Sequence, residues 1–432
     1  MTKTGLLWTG MLVASAMMAV DVMLPDTAAS QNATSARSPG DVFDLPRIVA
    51  LAIERNPLVA GAQGVIDQSV GQRITAGAYP NPTISGYGGQ GLLRDAGVVA
   101  PGQAERLTEY IGTIGQPLEW PSKRAARKRA AEAGLAGASV GLVETRLNLT
   151  ADVKIAFYDL LLAQRDAELA KQNIEIIEGV RRIVNARVRL GESPQFEAIK
   201  AEVEVLKAKQ TVTRAENTVR VNRVVLDTLT AGALGRDYTI KGDFEIFAKD
   251  LELRPLLQRA FEEHPTIVRI ARQVERAGHS VELERQARIP NVTINGAYYR
   301  EIGREAVQAG VSVPSPVWYR RQGEIAEALG VQRREEADLL RVRNTLLKEV
   351  NQYFQEAKTT ADLIDVFEKG LLKQAEEALR IAQFSFRQGA SSLLEVLDAQ
   401  RVLRQILFDY AQARFDLSVA LTRLERAVGT EL

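Results

Sequence analysis

Two stretches of the chain, 122–190 and 320–388, carry apolar residues at helical spacing among Ala, Glu, Arg and Leu and are almost free of proline. At 1.5 Å per residue, a helix of about 69 residues would extend roughly 100 Å. Each stretch closes at a glycine, Gly191 or Gly389, and a shorter helical pattern follows, 194–234 or 393–428. The pattern predicts two giant helical hairpins. In the last helix Val396, Leu403, Leu407, Tyr410, Leu417, Leu421 and Leu424 stand at steps of seven, four, three, seven, four and three. Steps of three, four and seven keep to a 3.5-residue repeat, the seam of a coiled coil, and core packing alone accounts for it.

Ahead of each hairpin the period changes. Helical segments 45–75 and 251–287 come first, each with a step, Asn56-Pro57 or His264-Pro265, that marks a break. Short segments rich in β-branched residues, Tyr and Gly follow, 83–89 with 110–116 and 292–299 with 307–313, and read as strands. None is hydrophobic enough to be a buried core strand.

The chain thus reads as one unit written twice. Ala52-Ile-Glu-Arg-Asn-Pro57 recurs as Ala260-Phe-Glu-Glu-His-Pro265, and Pro80-Asn-Pro-Thr-Ile-Ser-Gly86 as Pro290-Asn-Val-Thr-Ile-Asn-Gly296, about 210 residues apart. Gln116-Pro-Leu-Glu-Trp120 is answered by Val313-Pro-Ser-Pro-Val-Trp318, and Arg189-Leu-Gly-Glu-Ser193 by Arg387-Gln-Gly-Ala-Ser391, about 198 apart. The expected organisation is a signal peptide at 1–30, a linker at 31–44, a first repeat at 45–234, a second linker at 235–250 and a second repeat at 251–432.

Composition narrows the function. Lys and Arg number 55 against 54 Asp and Glu, a net charge of +1, so a surface built for nucleic acid is not expected. There is no cysteine and there are only two histidines, which removes thiolate and most imidazole chemistry, cysteine-based metal sites and the thiol that an N-terminal diacylglyceryl anchor needs. Lys3, the apolar run 6–20 and the small residues Ala28, Ala29 and Ser30 resemble a secretory signal, an uncleaved anchor being the alternative. No later stretch approaches a transmembrane helix, so entry into a membrane would have to be as β-strands.

Two hairpins cannot satisfy their edge N–H and C=O groups in hydrocarbon; only closure by further copies does. Four strands per chain close most simply in a homotrimer, as a twelve-stranded barrel. The expected fold is therefore mainly α with membrane β: helical hairpins forming a tube that continues a trimeric transmembrane barrel, a tube that the resemblance below makes periplasmic. Trp120 and Trp318 occupy matching places after the second strand of each unit, and Tyr319 adds to the latter, as an interfacial aromatic girdle requires; packing is the other explanation. Lys123, Arg124, Arg127, Lys128 and Arg129 stand at a helix start, where the macrodipole disfavours cations. Anionic lipid headgroups and a solvated helical face are the two readings of that run.

Gly115-Gln-Pro-Leu-Glu-Trp-Pro-Ser-Lys-Arg124 and Leu394-Glu-Val-Leu-Asp-Ala-Gln-Arg401 carry a family resemblance. The first is similar to the Gln-Pro-Leu-Glu…Lys-Arg segment of the cobalt–zinc–cadmium branch of TolC-type outer-membrane efflux proteins, although Trp120-Pro121-Ser122 departs from the Gly-rich filling found there. The second resembles that family's second hairpin return, and the likeness covers 45–428. The resemblance implies a passive export duct, the outer-membrane component of a tripartite system. Its partners would be a periplasmic adaptor protein and an inner-membrane pump, proton-driven, with heavy-metal cations as the cargo of that branch. It implies a periplasmic gate at Glu395 and Asp398, with Glu197 at the equivalent place in the first unit. It also implies adaptor docking at the hairpin tips, Gly191, Glu192, Gly389 and Ala390. The family's basic and tyrosine partners at that constriction fall here on Ser391 and Phe386.

No Gly-rich phosphate loop, nucleophile elbow or His/Cys cluster is present, so neither an enzyme nor a cofactor is expected. The competing reading is a periplasmic coiled-coil scaffold or adaptor without a pore, which would explain the helices and the signal but not the strands.

Overall fold

The computed structural model describes residues 42–94, 104–245, 251–301 and 304–432. The expected signal peptide lies outside them, as does most of the linker that follows it.

Proline steps and caps place the helices. Asp44 caps α1 (Leu45–Arg55), its carboxylate accepting from Arg47 N at 3.1 Å. Asn56 breaks the chain and caps α2 (Pro57–Gly77), with Pro57 at its first position. Two strands, β2 (Thr83–Arg94) and β3 (Ala104–Leu118), lead to α3 (Pro121–Arg189), 69 residues long, and the return helix α4 (Gln195–Leu229). The same order follows again: α5 (Leu253–Glu263), α6 (Pro265–Gln286), β5 (Val292–Glu301), β6 (Arg304–Ser312), α7 (Gln322–Val366), α8 (Leu372–Arg387) and α9 (Leu393–Val428).

Three features differ from the sequence reading. The second long helix is not continuous: a π-helical turn, Phe367–Leu371, separates α7 from α8. The strands of the first pair reach 12 and 15 residues, beyond their β-branched cores, because glycine and charged residues near the loop are carried by cross-strand pairing. The two segments expected as plain connectors hold a short parallel pair, β1 (Val42–Phe43) with β4 (Thr239–Ile240).

Both hairpin turns end in a left-handed glycine, Gly191 and Gly389, each at φ 75°. Glu192 N donates to Arg187 O at 2.9 Å and Ala390 N to Ser385 O at 2.9 Å, the six-to-one bonds that satisfy the last helical carbonyls. α3 is the spine of the wall. It packs on α2 and α6 toward the strands and on α4 and α9 toward the tips, while α7 lies beside α6, and α8 beside α9. Ala133, Gly134, Gly137 and Gly141 let α6 approach closely, a Cβ at Gly137 meeting Arg272 Cβ at 3.5 Å.

The cores form along this wall. Near mid-length, Phe43, Ile48, Leu149, Val153, Phe157, Tyr158, Leu226 and Tyr238 pack together where α1 and the β1/β4 pair cover α3. At the tip end, Val180 and Val184 of α3, Val205 of α4, Phe386 of α8 and Val396 of α9 share one cluster, so apolar burial holds the two hairpins to each other there. The seam along α9 is buried at Val396, Leu403, Leu417, Leu421 and Leu424, and half-buried at Leu407 and Tyr410, opposite the π turn.

Candidate channel wall and gate

The four long strands form one antiparallel sheet in the order β2-β3-β5-β6, so β2 and β6 are its edges. Successive side chains of a strand point to opposite faces, and the cross-strand register lets each residue be assigned to one of them. Thr83, Ser85, Thr113, Thr293, Asn295, Gln308 and Ser312 share one face with Glu109. Ile84, Tyr110, Ile114, Leu118, Ile294, Tyr298, Val307 and Val311 share the other. All eight of these apolar residues are exposed, Val307 by 83% and Ile84 by 79%; on the polar face Tyr87 is exposed and Ile111 and Tyr299 are half-buried, and Gln116, Arg300 and Glu305 stand on the apolar one. Alternation of this kind was not read from the sequence, because Gly occupies many of the intervening positions and flattens the pattern.

The helical wall is apolar at its rims too. Exposed large apolar residues gather on the outer helices: Leu58, Val65 and Ile74 on α2, Phe196, Ile199, Val203 and Leu206 on α4, Leu340 and Leu347 on α7, Ile381 and Phe384 on α8. The inner helices α3 and α6 bury or half-bury theirs, with Val143 the exception. Phe196, Ile199, Val203 and Leu206 step by three, four and three, a helix-packing seam that faces no helix of this chain.

The expected gate residues lie on the first turns of the return helices. Glu395 and Asp398 are both exposed and share a face of α9, three residues apart. Ser392 caps α9: its hydroxyl accepts from Glu395 N at 3.4 Å and donates to the Glu395 carboxylate at 3.2 Å. Asp398 pairs with Arg401 at 3.3 Å, both about two-thirds exposed, a contact worth little in water that still places a cation beside the acid. Glu197 is half-buried at the matching position of α4. Phe386 is 2% exposed in the tip cluster, with the Arg187 guanidinium 5.3 Å from its ring centre. The tip residues Gly191, Glu192, Gly389 and Ala390 are exposed, and Glu192 pairs with Arg187 at 3.7 Å.

At the foot of the wall the two tryptophans part company. Trp120 Nε1 donates to Pro290 O at 2.8 Å, which ties the start of α3 to the turn before β5. Trp318 is 95% exposed, and Tyr319 donates to Glu324 at 2.6 Å. Lys128, paired with Glu132, and Arg129 lie on an exposed face, but the other three cations of the basic run have a different role from either reading made of it. Lys123 is buried and donates to Asn291 at 2.7 Å; Arg124 donates to Gly77 O at 2.7 Å; Arg127 donates to Ala76 O at 2.9 Å and Ala78 O at 3.2 Å and grips Glu119 with two bonds. Arg124 and Arg127 close the open carbonyls at the C-terminal end of α2, where the dipole favours positive charge, although they sit at the N-terminal end of α3. Sequence could not pair those two helix ends, which lie about 47 residues apart in the chain.

Among the described residues no helix is long and apolar enough to cross a membrane, and no group of three or more His, Asp or Glu could hold a metal ion.

Comparison with known proteins agrees with this geometry. The family model described as outer membrane efflux protein matches residues 48–232 and again 256–430. The cobalt-zinc-cadmium resistance protein CzcC of Cupriavidus metallidurans is 25% identical over 409 residues, 94% of either chain. The pyoverdine export outer membrane protein OpmQ of Pseudomonas aeruginosa is 21% identical, covering 93% of this chain and 88% of its own. The solved CmeC outer membrane channel of Campylobacter jejuni superposes with a TM-score of 0.75 at 15% identity, over 89% of this chain and 85% of its own.

Proposed function

The chain belongs to the family of outer membrane efflux proteins, and from that premise we propose that three copies of it close a twelve-stranded barrel continued by a helical duct for heavy-metal cations. The observation that carries the reading is the sheet: one mainly apolar face, one mainly polar face and two unpaired edges. Hydrocarbon tolerates such a sheet only when both edges are paired, and β2 of one copy against β6 of the next does this. The apolar face then meets lipid and the polar face lines the lumen.

The helical rims support the same closure. α2 and α4 bound one side of the wall and α7 and α8 the other, and exposed apolar residues concentrate on both. A head-to-tail contact between unlike rims closes into a ring when the rotation between copies allows. The two halves of each copy are one duplicated unit, each supplying two strands and one hairpin.

The cargo reading rests on the likeness to the cobalt-zinc-cadmium resistance protein and on the acidic residues at the tip end. Three copies place Glu395 and Asp398 around the narrow end, with Glu197 behind them, a ring that attracts cations without binding them tightly. Arg401 beside Asp398 trims that charge. The exposed hairpin tips are where a periplasmic adaptor docks, linking the duct to a proton-driven inner-membrane pump. Chemistry and energy are supplied by the pump; the duct conducts.

Single-channel recording of the detergent-extracted protein in a planar bilayer tests this. We expect cation-selective openings, and the double variant Glu395→Gln/Asp398→Asn should lose most of that selectivity while keeping trimer mass and conductance. Unaltered selectivity would remove the gate assignment. A water-soluble, non-conducting species would remove the duct in favour of a periplasmic scaffold.

A further inference from the structure

The cations at the foot of the helical wall divide into two sets. Lys123, Arg124, Arg127 and Arg321 each end on an acceptor within the protein. Arg285, Arg288 and Arg320 are exposed, and among the described residues no carboxylate pairs with them; Arg320 reaches Pro316 O at 3.4 Å. Arg285 and Arg288 are one turn apart, Arg288 N donating to Arg285 O at 3.4 Å, and an ion pair ties their segment to that of Arg320. Arg321, adjacent to Arg320, donates to Glu284 at 2.9 Å, and Glu284 adjoins Arg285.

The same two segments carry Trp318, 95% exposed, and Ile289, 48% exposed. The patch lies where α6 gives way to β5 and β6 to α7, at the margin of the apolar sheet face. A helix C-terminus explains one cation there, since Arg285 sits in the last turn of α6. It does not explain three exposed arginines on adjoining segments with no carboxylate paired to them among the described residues. Like charges on adjoining segments repel, and an anion from outside the chain would offset them.

We propose that this patch binds the phosphate headgroups of an anionic phospholipid, such as phosphatidylglycerol, in the membrane leaflet on the helical side. The inference rests on the reading above that the apolar sheet face meets lipid. Guanidinium donates two parallel bonds to a phosphate, and an indole settles at headgroup depth with Ile289 toward the acyl chains. A zwitterionic headgroup carries its own ammonium and competes poorly. The lipid thus supplies at Arg285, Arg288 and Arg320 the anion that Glu119 supplies to Arg127.

The test is reconstitution of the full-length protein in nanodiscs made mostly of phosphatidylethanolamine with a minority of phosphatidylglycerol. Lipids retained by the protein are then identified by native mass spectrometry, with conductance recorded for each variant. The wild type should retain phosphatidylglycerol well above its bulk share. Each arginine removed should lower retention on the order of fivefold at low salt, and Arg285→Gln/Arg288→Gln/Arg320→Gln should return it to the bulk ratio. The control Arg333→Gln, an exposed cation farther along α7, should change nothing. Should the triple variant fail to conduct, Arg288→Gln alone carries the comparison. Retention unchanged in the variants, or lost equally in the control, overturns the patch while leaving the channel standing. Protein that never enters the bilayer overturns the channel reading as well.

Discussion

At the foot of α3 three cations of the first half close on the end of α2 and on the turn before β5, whereas at the foot of α7 Arg321 reaches across to Glu284. The difference follows from how the two preceding helices end. α2 stops at Gly77, and its last carbonyls accept from Arg124 and Arg127. α6 winds on through backbone turns, Ala287 N donating to Leu283 O at 2.8 Å and Ile289 N to Gln286 O at 3.1 Å, so its last carbonyls need no arginine. The order of elements repeats; the fastenings do not. The long helices differ in the same direction, α3 running unbroken while its counterpart is interrupted at Phe367–Leu371.

The sharpest way to break the comparison is to cut the strongest fastening in each half. Arg127→Gln removes a bidentate pair whose acid, Glu119, is 6% exposed in its side chain, together with two bonds to helix-end carbonyls. A buried carboxylate left alone costs several kcal/mol; since Arg127 is itself a third exposed, the expected loss is about 2–3 kcal/mol. Arg321→Gln, at a pair 24–37% exposed, should cost about 1 kcal/mol or less. Thermal unfolding midpoints of the two variants in detergent decide it, and equal shifts would mean that the halves are fastened alike.

Much of this architecture was legible in the sequence because it rests on local signals. The proline steps at Asn56 and His264, the glycines at 191 and 389 and the seam along α9 each act within a few residues, and the structure places breaks, turns and packed faces there. What depended on distant partners was not legible. Lys123 and Arg127 read as surface charge because their acceptors lie on other elements. The π turn left no mark, since a residue inserted in a helix changes spacing without changing composition. The resemblance alone, and no periodicity, pointed to Glu395 and Asp398. The structure shows them exposed on one face, and what they face depends on further copies of the chain.

A second contrast lies in the caps. Asn56 accepts from Leu58 N at 2.9 Å and donates to Leu229 O at 2.8 Å, bracing the start of α2 against the end of α4. His264 does the same with a ring: Nδ1 accepts from Thr266 N at 3.1 Å, so the proton sits on Nε2, 3.0 Å from Arg426 O at the end of α9. Burial lowers the His264 pKa from its ordinary 6.5, because the charged ring is poorly solvated there. A depressed pKa contributes stability that is present above about 6.5 and lost as pH falls through the folded-state value. Acid should therefore loosen the second half and spare the first. His264→Asn should flatten the stability difference between pH 7.5 and pH 5, whereas His264→Ala, which also removes the titrating ring, should cost about 1 kcal/mol at pH 7.5 through loss of the cap and less at pH 5. A wild-type midpoint that does not fall on acidification would set the Asn and His caps equal.

The smallest expected effect concerns the π turn, which is held from one side. Tyr410 of α9 donates to Glu368 at 2.8 Å, and its ring lies 5.9 Å from that of Phe367, so one side chain spans the turn. Tyr410→Phe keeps the ring contact and removes the bond, which is exposed, so the global cost should be about 0.5 kcal/mol. The local consequence is larger than the global one. A π turn has fewer well-aligned backbone bonds than the α-helix around it, and without the tyrosine its amides should open more often. Hydrogen exchange followed by mass spectrometry should show faster exchange across Phe367–Leu371 in the variant, with the unbroken stretch of α3 unchanged. Exchange unaltered at both places would mean that the interruption is as firm as the continuous helix, and that the second half is looser only at its foot and at its cap.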